Sequence, residues 1–545
     1  MSLLPGVLED RTVFSRFKRT AERFPDRPFI VVLPETAAAY GIAAGEIGYG
    51  EALARVKALA DGYRAAGYGV GHRVGLLLQN RPDFVFHWFA LNSLGASVVP
   101  INPDLRAAEL EYLIAHSEML LAVAIAERLD DLKQAAAASG AALQVMTPDS
   151  PPPNALRSAG ADANLTRKSE CALLYTSGTT GKPKGCVLDN SYFLLAGEWY
   201  ATVGGLCTLK VDPPERMLTP LPLFHMNAMA YSLLAMVTVG GAIAVLDRFH
   251  PRSWWASVKT FDATIIHYLG VMPAMLMAGA ADRSDKAHNI RFGFGAGVDR
   301  GLHGPFEERF GFPLLEAWAM TETGAGAVII ASEEPRQIGT NCFGRPKPDV
   351  ELRIVDDQDG EANSGEPGEL LVRHAGDDPR EGFFREYLKD AEATEAAWKD
   401  GWFHTGDVVS RDSDGQLHFV DRKKNVIRRS GENISAVEVE SVLARHPSVA
   451  QVAVAPVPDP VRGEEVVALI VPKEGDAGPL LAEEIVRYCL TRLAYYKAPG
   501  YVAFLERIPL TSTEKIQRGA LRAAVEAAIA DGRAIDTCHL KKRTA

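Results

Sequence analysis

The ten residues from Thr176 to Gly185 combine side chains that together can hold a chain of phosphates. They read TSGTTGKPKG, so three glycines, two lysines and four hydroxyl side chains fall in one segment, here called the phosphate loop. The apolar stretch Ala172–Tyr175, typical of a buried strand, comes directly before it. Such a loop can turn backbone N–H groups and hydroxyls toward one anion while lysine adds positive charge. We therefore predict a polyphosphate site here.

Other interpretations of the glycine-rich segments fit less well. A Walker loop requires GxxxxGK followed by Ser or Thr, but Gly178 and Gly181 are too close together and Pro183 stands at the hydroxyl position. The segment Phe292–Gly297 has glycines spaced GxGxG rather than GxGxxG, which argues against a nicotinamide dinucleotide site. A flexible surface loop remains the alternative for the phosphate loop.

A second segment, Glu316–Gly324, offers several groups that suit a nucleotide. It reads EAWAMTETG, in which Trp318 presents an aromatic face for a planar base and Thr321 presents a hydroxyl for a phosphate. Glu322 is a hard oxygen ligand of the kind that holds Mg²⁺ together with substrate phosphates. Taken alone, the segment is more typical of a core strand followed by a turn.

Three further residues each have two interpretations. His225, in LPLFHMNA, is either a gate at the wall of a substrate pocket or a structural histidine. Asp407, which ends DGWFHTGD, either accepts both hydroxyls of a ribose or makes an ordinary Asx turn. Lys515 lies in a Thr-rich turn before a predicted helix, where it is either functional or merely solvated.

The composition limits the function classes. The chain has 545 residues, 47% hydrophobic and 23% charged, as in ordinary globular proteins of roughly two to four domains or subdomains. With 69 acidic and 58 basic residues the net charge is -11, which argues against general nucleic-acid binding. The six cysteines form no CxxC pair or Cys/His cluster, so we expect reduced thiols in a cytoplasmic protein. No signal peptide and no apolar stretch of ~18 residues is present, so we expect no integral membrane association.

The elements that must position these residues alternate between strand and helix. From about residue 50 to 147, buried strands such as Arg73–Leu78 alternate with helices such as Pro82–Leu94, which is typical of layered α/β structure with parallel strands. Beyond a second α/β block, polar and apolar residues alternate in segments such as Gly368–Arg373. We predict an α/β protein: a large N-terminal domain of layered α/β subdomains with a small β-barrel-like sheet, then a smaller α+β C-terminal domain.

Taken in order, these segments resemble the adenylate-forming superfamily, which comprises acyl-CoA synthetases, nonribosomal adenylation domains and beetle luciferases. The resemblance extends from about Tyr49 to Arg522. It rests on the phosphate loop, the Thr-Glu turn at 321–322, HTGD at 404–407, DRKKNVIRRSGENIS at 421–435 and Lys515. The stretch from Arg429 to Glu440 is loosely similar to the carnitine/crotonobetaine-CoA ligase branch.

The resemblance implies a role for each matching residue. The phosphate loop would hold the β- and γ-phosphates of ATP, the loop 295–297 and Trp318 would enclose adenine, and Lys515 would bridge the acyl carboxylate and the α-phosphate. Thr321 would bind the α-phosphate and Glu322 the Mg²⁺. The nucleotide- and CoA-binding residues so implied are Thr176, Ser177, Gly178, Thr179, Thr180, Gly181, Lys184, Gly295, Ala296, Gly297, Glu316, Ala317, Trp318, Asp407, Arg422, Lys424 and Gly431, and the catalytic ones are His225, Thr321, Glu322 and Lys515. Two departures from the family are Trp318-Ala319 in place of Tyr-Gly and Glu514 in place of the Gly before the lysine.

The resemblance also implies an activity and a domain division. The expected enzyme is an ATP-dependent acid–CoA ligase (an acid–thiol ligase) that forms an acyl-adenylate from a small or medium carboxylic acid, then transfers the acyl group to CoA, using ATP, Mg²⁺ and coenzyme A. An N-terminal adenylation domain would span residues 1–423 and a mobile C-terminal domain residues 424–545, with a hinge near Lys424. In one pose Lys515 would complete the adenylation site, and in the other the Gly431 segment would line a tunnel for the thiol.

Several alternatives stay open at this point. The acceptor could be a phosphopantetheinyl carrier protein instead of CoA, and a non-catalytic nucleotide-binding protein or a luciferase-like oxygenase are more distant readings. The acid pocket is expected near three mostly apolar segments, at 225–228, 267–270 and 324–328. The sequence does not determine which acid is used. A homodimer is our expectation for the assembly.

Overall fold

The computed structural model describes residues 7–160, 164–176, 182–356, 359–422, 426–473, 477–509 and 518–542. They group into two compact units. The larger comprises Met1–Pro103, Ile114–Leu174 and Gly185–Asp421, and the smaller comprises Asp104–Leu113, Tyr175–Lys184 and Arg422–Ala545. Both units mix helices with sheets, so the predicted α/β class is confirmed.

An eight-stranded sheet forms one layer of the larger unit. Its six inner strands run parallel, and an antiparallel strand closes each edge. In spatial order the strands are Ile329–Ile330, Leu314–Trp318, Phe292–Ala296, Ile265–Leu269, Arg216–Thr219, Ala242–Val245, Pro28–Val32 and Gly45–Gly48. The inner strands are largely buried, which is why most of their residues are apolar.

A seven-stranded sheet forms a second layer. Its spatial order is Glu386–Tyr387, Lys184–Asp189, Glu170–Thr176, Ser97–Pro100, Arg73–Leu77, Leu121–Ala124 and Gln144–Met146. The strands from Glu170–Thr176 to Gln144–Met146 pair in parallel, as the strand–helix alternation predicted. The short strand Glu386–Tyr387 pairs antiparallel with Lys184–Asp189. This pairing brings Tyr387, which lies far along the chain, to this edge of the sheet.

A third sheet contains the alternating segments that predicted antiparallel structure. Its spatial order is Cys342–Gly344, Leu417–Arg422, Trp402–Arg411, Gly368–His374 and Val350–Val355, and Trp398–Lys399 pairs with Trp402–Arg411. In Trp402–Arg411, every second residue from Phe403 to Val409 is buried, which places Asp407 on the inward face.

Helices cover the sheets of the larger unit. They are Val13–Arg23, Pro34–Tyr40, Tyr49–Ala65, Pro82–Ser93, Leu129–Ser139, Asn190–Thr202, Leu234–Val239, Trp254–Phe261, Val271–Met277, Arg300–Phe310 and Ala391–Ala397, with a π-helix at Asn227–Leu233 and 3-10 turns at Val7–Glu9, Ala126–Arg128, Gly205–Cys207 and Gly324–Ala327. The helix Ala107–Ser117 is divided, since its residues up to Leu113 belong to the smaller unit. The helix Pro82–Ser93 starts with proline at its first position, where the missing N–H is not needed. No helix among the described residues is long and apolar enough to cross a membrane.

The smaller unit is built on a mixed sheet. Its strands, in spatial order, are Glu432–Ser435, Val426–Arg429, Gly463–Pro472, Tyr501–Phe504 and Ala534–Asp536, with Val449–Asp459 paired to Gly463–Pro472, and its helices are Ala436–Leu443, Pro479–Leu490, Arg518–Ala530 and the 3-10 turn Cys538–Leu540. Inside this unit Lys497 Nζ donates to Glu109 Oε1 (2.8 Å) and to Glu438 Oε1 (2.9 Å). Burial alone would lower the pKa of Lys497, but the two carboxylates raise it. The ammonium therefore stays charged and ties the upstream segment 104–113 into the unit.

A buried ion network anchors the first helix of the larger unit. The guanidinium of Arg16 has no solvent exposure and donates to Asp10 Oδ2 (2.6 Å) and to Glu198 Oε1 (2.6 Å). Arg167 Nη2 also donates to Glu198 Oε1, at 2.7 Å. Since Glu198 belongs to the helix Asn190–Thr202, the network joins the start of the chain to a helix that packs behind the candidate site.

Replacing Arg16 by methionine should destabilise the larger unit strongly. The substitution removes the fully buried cation from both carboxylates, although Asp10 keeps Arg19 and Glu198 keeps Arg167. Breaking a buried pair costs up to about 3–5 kcal/mol. The measurement is the free energy of unfolding in urea. The exposed Lys18 on the same helix pairs with Glu22, and Lys18→Met should change that free energy by less than about 0.5 kcal/mol. Equal effects from the two variants would contradict the buried network.

Candidate active site

The candidate site lies at the carboxyl ends of three neighbouring parallel strands. These are Ile265–Leu269, Phe292–Ala296 and Leu314–Trp318. In open parallel sheets, ligands bind beyond such strand ends. The loop Gly295–Gly297 and Trp318 follow adjacent strands, so both predicted neighbours of adenine lie at one edge. Ala296 and Gly297 are exposed there, whereas Ala317 pairs with Ile330 inside the sheet.

The buried side chain of Glu316 positions the loop at this strand edge. Its carboxylate is buried and accepts from the backbone N–H of Gly297 (2.9 Å), the N–H of Val298 (3.2 Å) and the hydroxyl of Tyr268 (3.0 Å). Burial raises the pKa of Glu316, while the two backbone N–H groups act in the opposite direction. The sequence placed Glu316 among the nucleotide-binding residues. In the structure its hydrogen bonds hold the glycine loop in shape, and Gly297 turns there with a φ of 81°.

Trp318 contacts the residue that the sequence predicted for the ribose. Its indole Nε1 donates to Asp407 Oδ2 at 2.9 Å, and both side chains are largely buried. The backbone N–H of Asp407 also donates to Thr405 Oγ1, at 3.0 Å. Trp318 and Asp407 are 89 residues apart, so the contact between the eight-stranded and antiparallel sheets orients the carboxylate. The residue predicted to stack on the base and the residue predicted to accept the ribose are thereby joined.

The turn that carries Thr321 and Glu322 is held by tyrosines from two other elements. Tyr192 OH donates to the backbone carbonyl of Thr321 at 2.9 Å, and Tyr387 OH donates to Glu322 Oε1 at 3.0 Å. Burial raises the pKa of Tyr387, with the Glu322 charge adding to it, so this hydroxyl remains a donor. The Glu322 carboxylate is therefore held in one orientation beside Thr321.

Gly324 closes this turn in a position that no other residue fits. Its φ is 46°, and a Cβ there would lie 2.3 Å from the Tyr192 ring and 2.5 Å from the Gly382 carbonyl. The carbonyl of Gly324 accepts from Tyr231 OH at 2.9 Å. The close approach explains the glycine that follows the Thr-Glu pair in the sequence.

His225 is half-buried, and its ring lies against Phe224 just before the π-helix Asn227–Leu233. A second histidine, His267, is fully buried on the strand Ile265–Leu269. Its Nδ1 lies 2.9 Å from Asn227 Oδ1, so that nitrogen carries the proton and Nε2 accepts from Tyr200 OH at 3.1 Å. Two of the three expected acid-pocket segments, 225–228 and 267–270, thus meet through a neutral hydrogen-bonded chain.

The phosphate loop is described only at its ends. Thr176 ends the strand Glu170–Thr176 and Lys184 begins the strand Lys184–Asp189, and both are half-buried. The predicted residues Ser177, Gly178, Thr179, Thr180 and Gly181 lie outside the described residues. On the flank, Lys182 Nζ lies 5.4 Å from the ring centroid of Tyr112, whose hydroxyl donates to the Pro183 carbonyl at 2.9 Å. The strand predicted before the loop is present, and a second strand, which the sequence did not predict, follows it.

The remaining predicted residues belong to the end of the third sheet and to the smaller unit. Arg422 ends the strand Leu417–Arg422, and its side chain is outside the described part of the chain. Gly431 lies in the turn between the strands Val426–Arg429 and Glu432–Ser435, with a φ of 86°. Lys424 and Lys515 lie outside the described residues.

The sequence missed the tyrosines that hold the site. Tyr192, Tyr231, Tyr268 and Tyr387 each donate to a site residue or its backbone. Tyr387 is 65 residues from Glu322, and only the pairing of Glu386–Tyr387 with Lys184–Asp189 brings it there. No spacing rule in the sequence could have joined these residues.

The chemistry of Glu322 fits a magnesium ion. Mg²⁺ usually takes one or two carboxylates together with substrate phosphates and waters. Glu322 is a largely buried carboxylate whose orientation is set by Tyr387. Among the described residues, no group of three or more His, Cys, Asp and Glu side chains could hold a metal ion.

The fold and the candidate site together fit the class of enzymes that bind an adenine nucleotide. Comparison with known proteins agrees: the model for AMP-binding enzymes matches residues 17–388, and the model for their C-terminal domain matches residues 438–515. The chain belongs to the AMP-binding enzyme family. The resemblance inferred from the sequence motifs is therefore confirmed.

Individual relatives extend over most of the chain. Crotonobetaine/carnitine–CoA ligase from Shigella flexneri is 30% identical over 490 residues, which cover 87% of this chain and 92% of the relative. A double mutant of o-succinylbenzoate CoA synthetase from Bacillus subtilis, bound to a product analogue, superposes with a TM-score of 0.79 at 25% identity, covering 93% of this chain and 98% of that one. A malonyl-CoA ligase with methylmalonyl-CoA and AMP bound has a TM-score of 0.71 at 27% identity, covering 89% and 97%.

Trp318→Phe should weaken ATP use without removing the aromatic face. Asp407 loses the donor that orients it, and an unmade hydrogen bond at a buried acceptor costs about 1–3 kcal/mol, so we expect the KM for ATP to rise about 5- to 150-fold. Steady-state kinetics measure this. Trp398 is the matched control, because among the described residues its buried indole N–H has no hydrogen-bond partner, and Trp398→Phe should leave that KM unchanged. An unchanged KM in Trp318→Phe would contradict the assigned contact.

Because of His267, the free energy of unfolding should be lower in mild acid than at neutral pH. Burial lowers the pKa of His267 to about 3, whereas an unfolded histidine titrates near about 6.5. Between these values the unfolded chain binds a proton that the folded chain does not, so the free energy of unfolding falls as pH decreases. The stability difference between the wild type and His267→Gln should therefore be larger at pH 7 than at pH 5, as measured by urea unfolding. The same difference at both pH values would show that His267 is not held neutral.

Proposed function

We propose that the protein is an ATP-dependent acid–CoA ligase. A carboxylic acid and ATP would form an acyl-adenylate and pyrophosphate, and the acyl group would then pass to the thiol of CoA with release of AMP. The observation that carries the proposal is the convergence of the Glu316-held glycine loop, Trp318 and Asp407 at one strand edge. CoA ligation is supported by three relatives named as CoA ligases or synthetases.

In this proposal, residues of the larger unit bind and orient the nucleotide. Trp318 stacks on adenine against the loop Gly295–Gly297, and Asp407 accepts the ribose hydroxyls. Thr321 donates to the α-phosphate from a turn whose backbone is fixed by Tyr192. A rigid turn matters because attack on the α-phosphate depends on the placement of reacting groups to fractions of an ångström.

The negative charges of the two reactants are the main obstacle to the first step. The acid carboxylate and the α-phosphate repel each other, and we assign Lys515 to the position between them. A fixed cation there stabilises the charge that develops in the transition state. Mg²⁺, when bound with ATP, would be held by Glu322 and would supply positive charge to the phosphates. The phosphate loop, with Lys184, would hold the leaving pyrophosphate.

The second step is assigned to the smaller unit. We propose residues 1–423 as the adenylation domain and 424–545 as a mobile domain with its hinge at Lys424. The turn at Gly431 would border the path of the thiol. Its φ of 86° suits a tight turn that brings backbone close to a ligand.

The proposed substrate is a small or medium carboxylic acid. The support is the mostly apolar character of Met226, Leu269 and Met320, which are partly buried against the core. We further propose that His225 gates this pocket. A cytoplasmic location is supported by the six cysteines, all of them free. A homodimer is proposed for the assembly, which sedimentation analysis would test.

Pyrophosphate release with a panel of carboxylic acids, with and without CoA, tests the proposal directly. Release that depends on one acid class and turns over only with CoA is the expected result. Release that needs an acid but is not accelerated by CoA would point to a phosphopantetheinyl carrier protein as acceptor. A protein that releases no pyrophosphate with any acid would overturn the ligase assignment.

Glu322→Gln should impair adenylate formation while keeping the fold. The amide oxygen can still accept from Tyr387, but the charge for Mg²⁺ is lost, and removal of one preorganised electrostatic partner costs about 10²–10³ in rate. Titration of the activity with Mg²⁺ should show a higher half-saturating concentration. Glu386, an exposed neighbour of Tyr387, provides the control. Glu386→Gln should change neither the rate of adenylate formation nor the half-saturating Mg²⁺ concentration. A Glu322→Gln protein with wild-type magnesium dependence would remove the metal role.

A further inference from the structure

The end of the chain folds back onto the sheet of the smaller unit. The strand Ala534–Asp536 pairs antiparallel with Tyr501–Phe504, and the next residue, Thr537, is fully buried. Thr537 donates from its backbone N–H to the Gly500 carbonyl (2.9 Å) and from its hydroxyl to the Pro499 carbonyl (3.0 Å). Residues 534–542, here called the C-terminal tail, are thus a fixed part of the unit.

The C-terminal tail covers a buried carboxylate. Glu465 has no solvent exposure, and its Oε2 accepts from Arg429 Nε at 2.7 Å. Its Oε1 accepts from Lys541 Nζ and from the backbone N–H of Val466, the latter at 2.8 Å. The side chains of Arg429 and Lys541 are 6% and 1% exposed, so all three charges are removed from water.

The space for this cluster depends on Gly500. A Cβ at Gly500 would lie 2.5 Å from Glu465 Cδ and 2.9 Å from Cys538 Sγ. The carboxylate is therefore enclosed between the strand Tyr501–Phe504 and the C-terminal tail. A carboxylate in such a place must obtain from the protein the hydrogen bonds that water would give, and a buried charge needs a counter-charge. Lys541 and Arg429 provide both.

Arg429 links this cluster to the turn assigned to the thiol. It ends the first strand of the 426–435 hairpin, where Ser430 (φ 51°) and Gly431 (φ 86°) both have positive φ, as in the two-residue turns that match strand twist. The backbone N–H of Ser430 donates to the Arg462 carbonyl at 2.9 Å, and that of Arg428 donates to Glu464 Oε2 at 2.6 Å. The Arg429–Glu465 pair is the buried side-chain anchor beside these surface contacts.

We propose that the C-terminal tail is a positioning element for acyl transfer: Lys541 holds Glu465 in the geometry in which Glu465 fixes Arg429 and the turn of the 426–435 hairpin. This inference rests on the proposed function, which assigns that turn to the thiol. Lys541 contacts no reacting group and acts through Glu465 and Arg429.

The charges in the cluster support this role. Two cations share one carboxylate, and burial, with Arg429 next in effect, lowers the pKa of Lys541 to about 8. Lys541 therefore remains largely charged at neutral pH. If its charge is lost, Glu465 keeps one cation and one backbone N–H in a place without water. The carboxylate should then shift toward other donors, and the Arg429 contact should loosen.

The coupling can be tested without any activity. Amide hydrogen exchange in Lys541→Met should be faster across the 426–435 hairpin, while the helix Pro479–Leu490 should exchange as in the wild type. Lys542 is the matched control, since it is the exposed neighbour, and Lys542→Met should leave the hairpin unchanged. Lys541→Gln is a second variant that keeps a donor to Glu465 but not the charge. Unchanged hairpin exchange in folded Lys541→Met and Lys541→Gln overturns the proposal.

The functional consequence is tested by separating the two half-reactions. Pyrophosphate exchange measures adenylate formation, and preformed acyl-adenylate with CoA measures acyl transfer. In Lys541→Met, acyl transfer should slow about 10²-fold, because small misplacements of a reacting geometry cost that much, while adenylate formation stays at the wild-type rate. Unchanged adenylate formation also reports a folded smaller unit, because Lys515 belongs to it.

Each outcome has one meaning. Faster hairpin exchange with loss of acyl transfer alone supports the proposal. Equal losses of rate in both half-reactions would show that the C-terminal tail only stabilises the smaller unit. That result overturns the proposal. A wild-type enzyme that forms the adenylate but never transfers to CoA refutes the proposed CoA acceptor, and the exchange measurement then decides whether the tail positions the hairpin.

Discussion

The need of a buried carboxylate for internal hydrogen-bond donors determines how this protein builds its site. Glu316 lies under the strand edge without water, and it takes its donors from the backbone of Gly297 and Val298 and from Tyr268. The two backbone donors belong to the glycine loop and the residue directly after it. The hydrogen bonds that satisfy the Glu316 carboxylate therefore also fix the shape of the loop. The exposed residues Ala296 and Gly297 are held in a defined position as a result.

The same physics recurs at the other acidic groups. Asp407 is oriented by the indole of Trp318, and Glu322 by the hydroxyl of Tyr387. In the smaller unit, Glu465 and the pair Glu109 and Glu438 are each satisfied by buried cations. A donor from a distant element holds each carboxylate, so the acids to which we assign chemical roles and the acids that only stabilise the fold are positioned by the same means.

Much of the fold was predictable because its patterns are local. The helix Pro82–Ser93, the strand Ser97–Pro100 and the antiparallel segment Gly368–His374 follow from apolar periodicity and turn residues, and their ends differ from the prediction by one residue at most. The strands Pro28–Val32 and Gly45–Gly48 were not predicted. Their place in the eight-stranded sheet depends on pairing with Ala242–Val245, some two hundred residues away, which no local pattern records.

The sequence by itself determined the kinds of side chain available: hydroxyls and lysines suited to an anion, an aromatic face at Trp318, a hard oxygen ligand at Glu322 and a carboxylate at Asp407, for which the family resemblance implies the ribose. Residue type and order along the chain are enough for that, because the chemistry of a side chain is intrinsic. Tertiary structure alone decided that Trp318 orients Asp407, that Tyr387 reaches Glu322, and that Lys541 lies against Glu465. The residues of these three pairs are 89, 65 and 76 positions apart in the chain. The contacts form because packing removes each buried polar group from water and leaves it only the partners that the fold brings within reach.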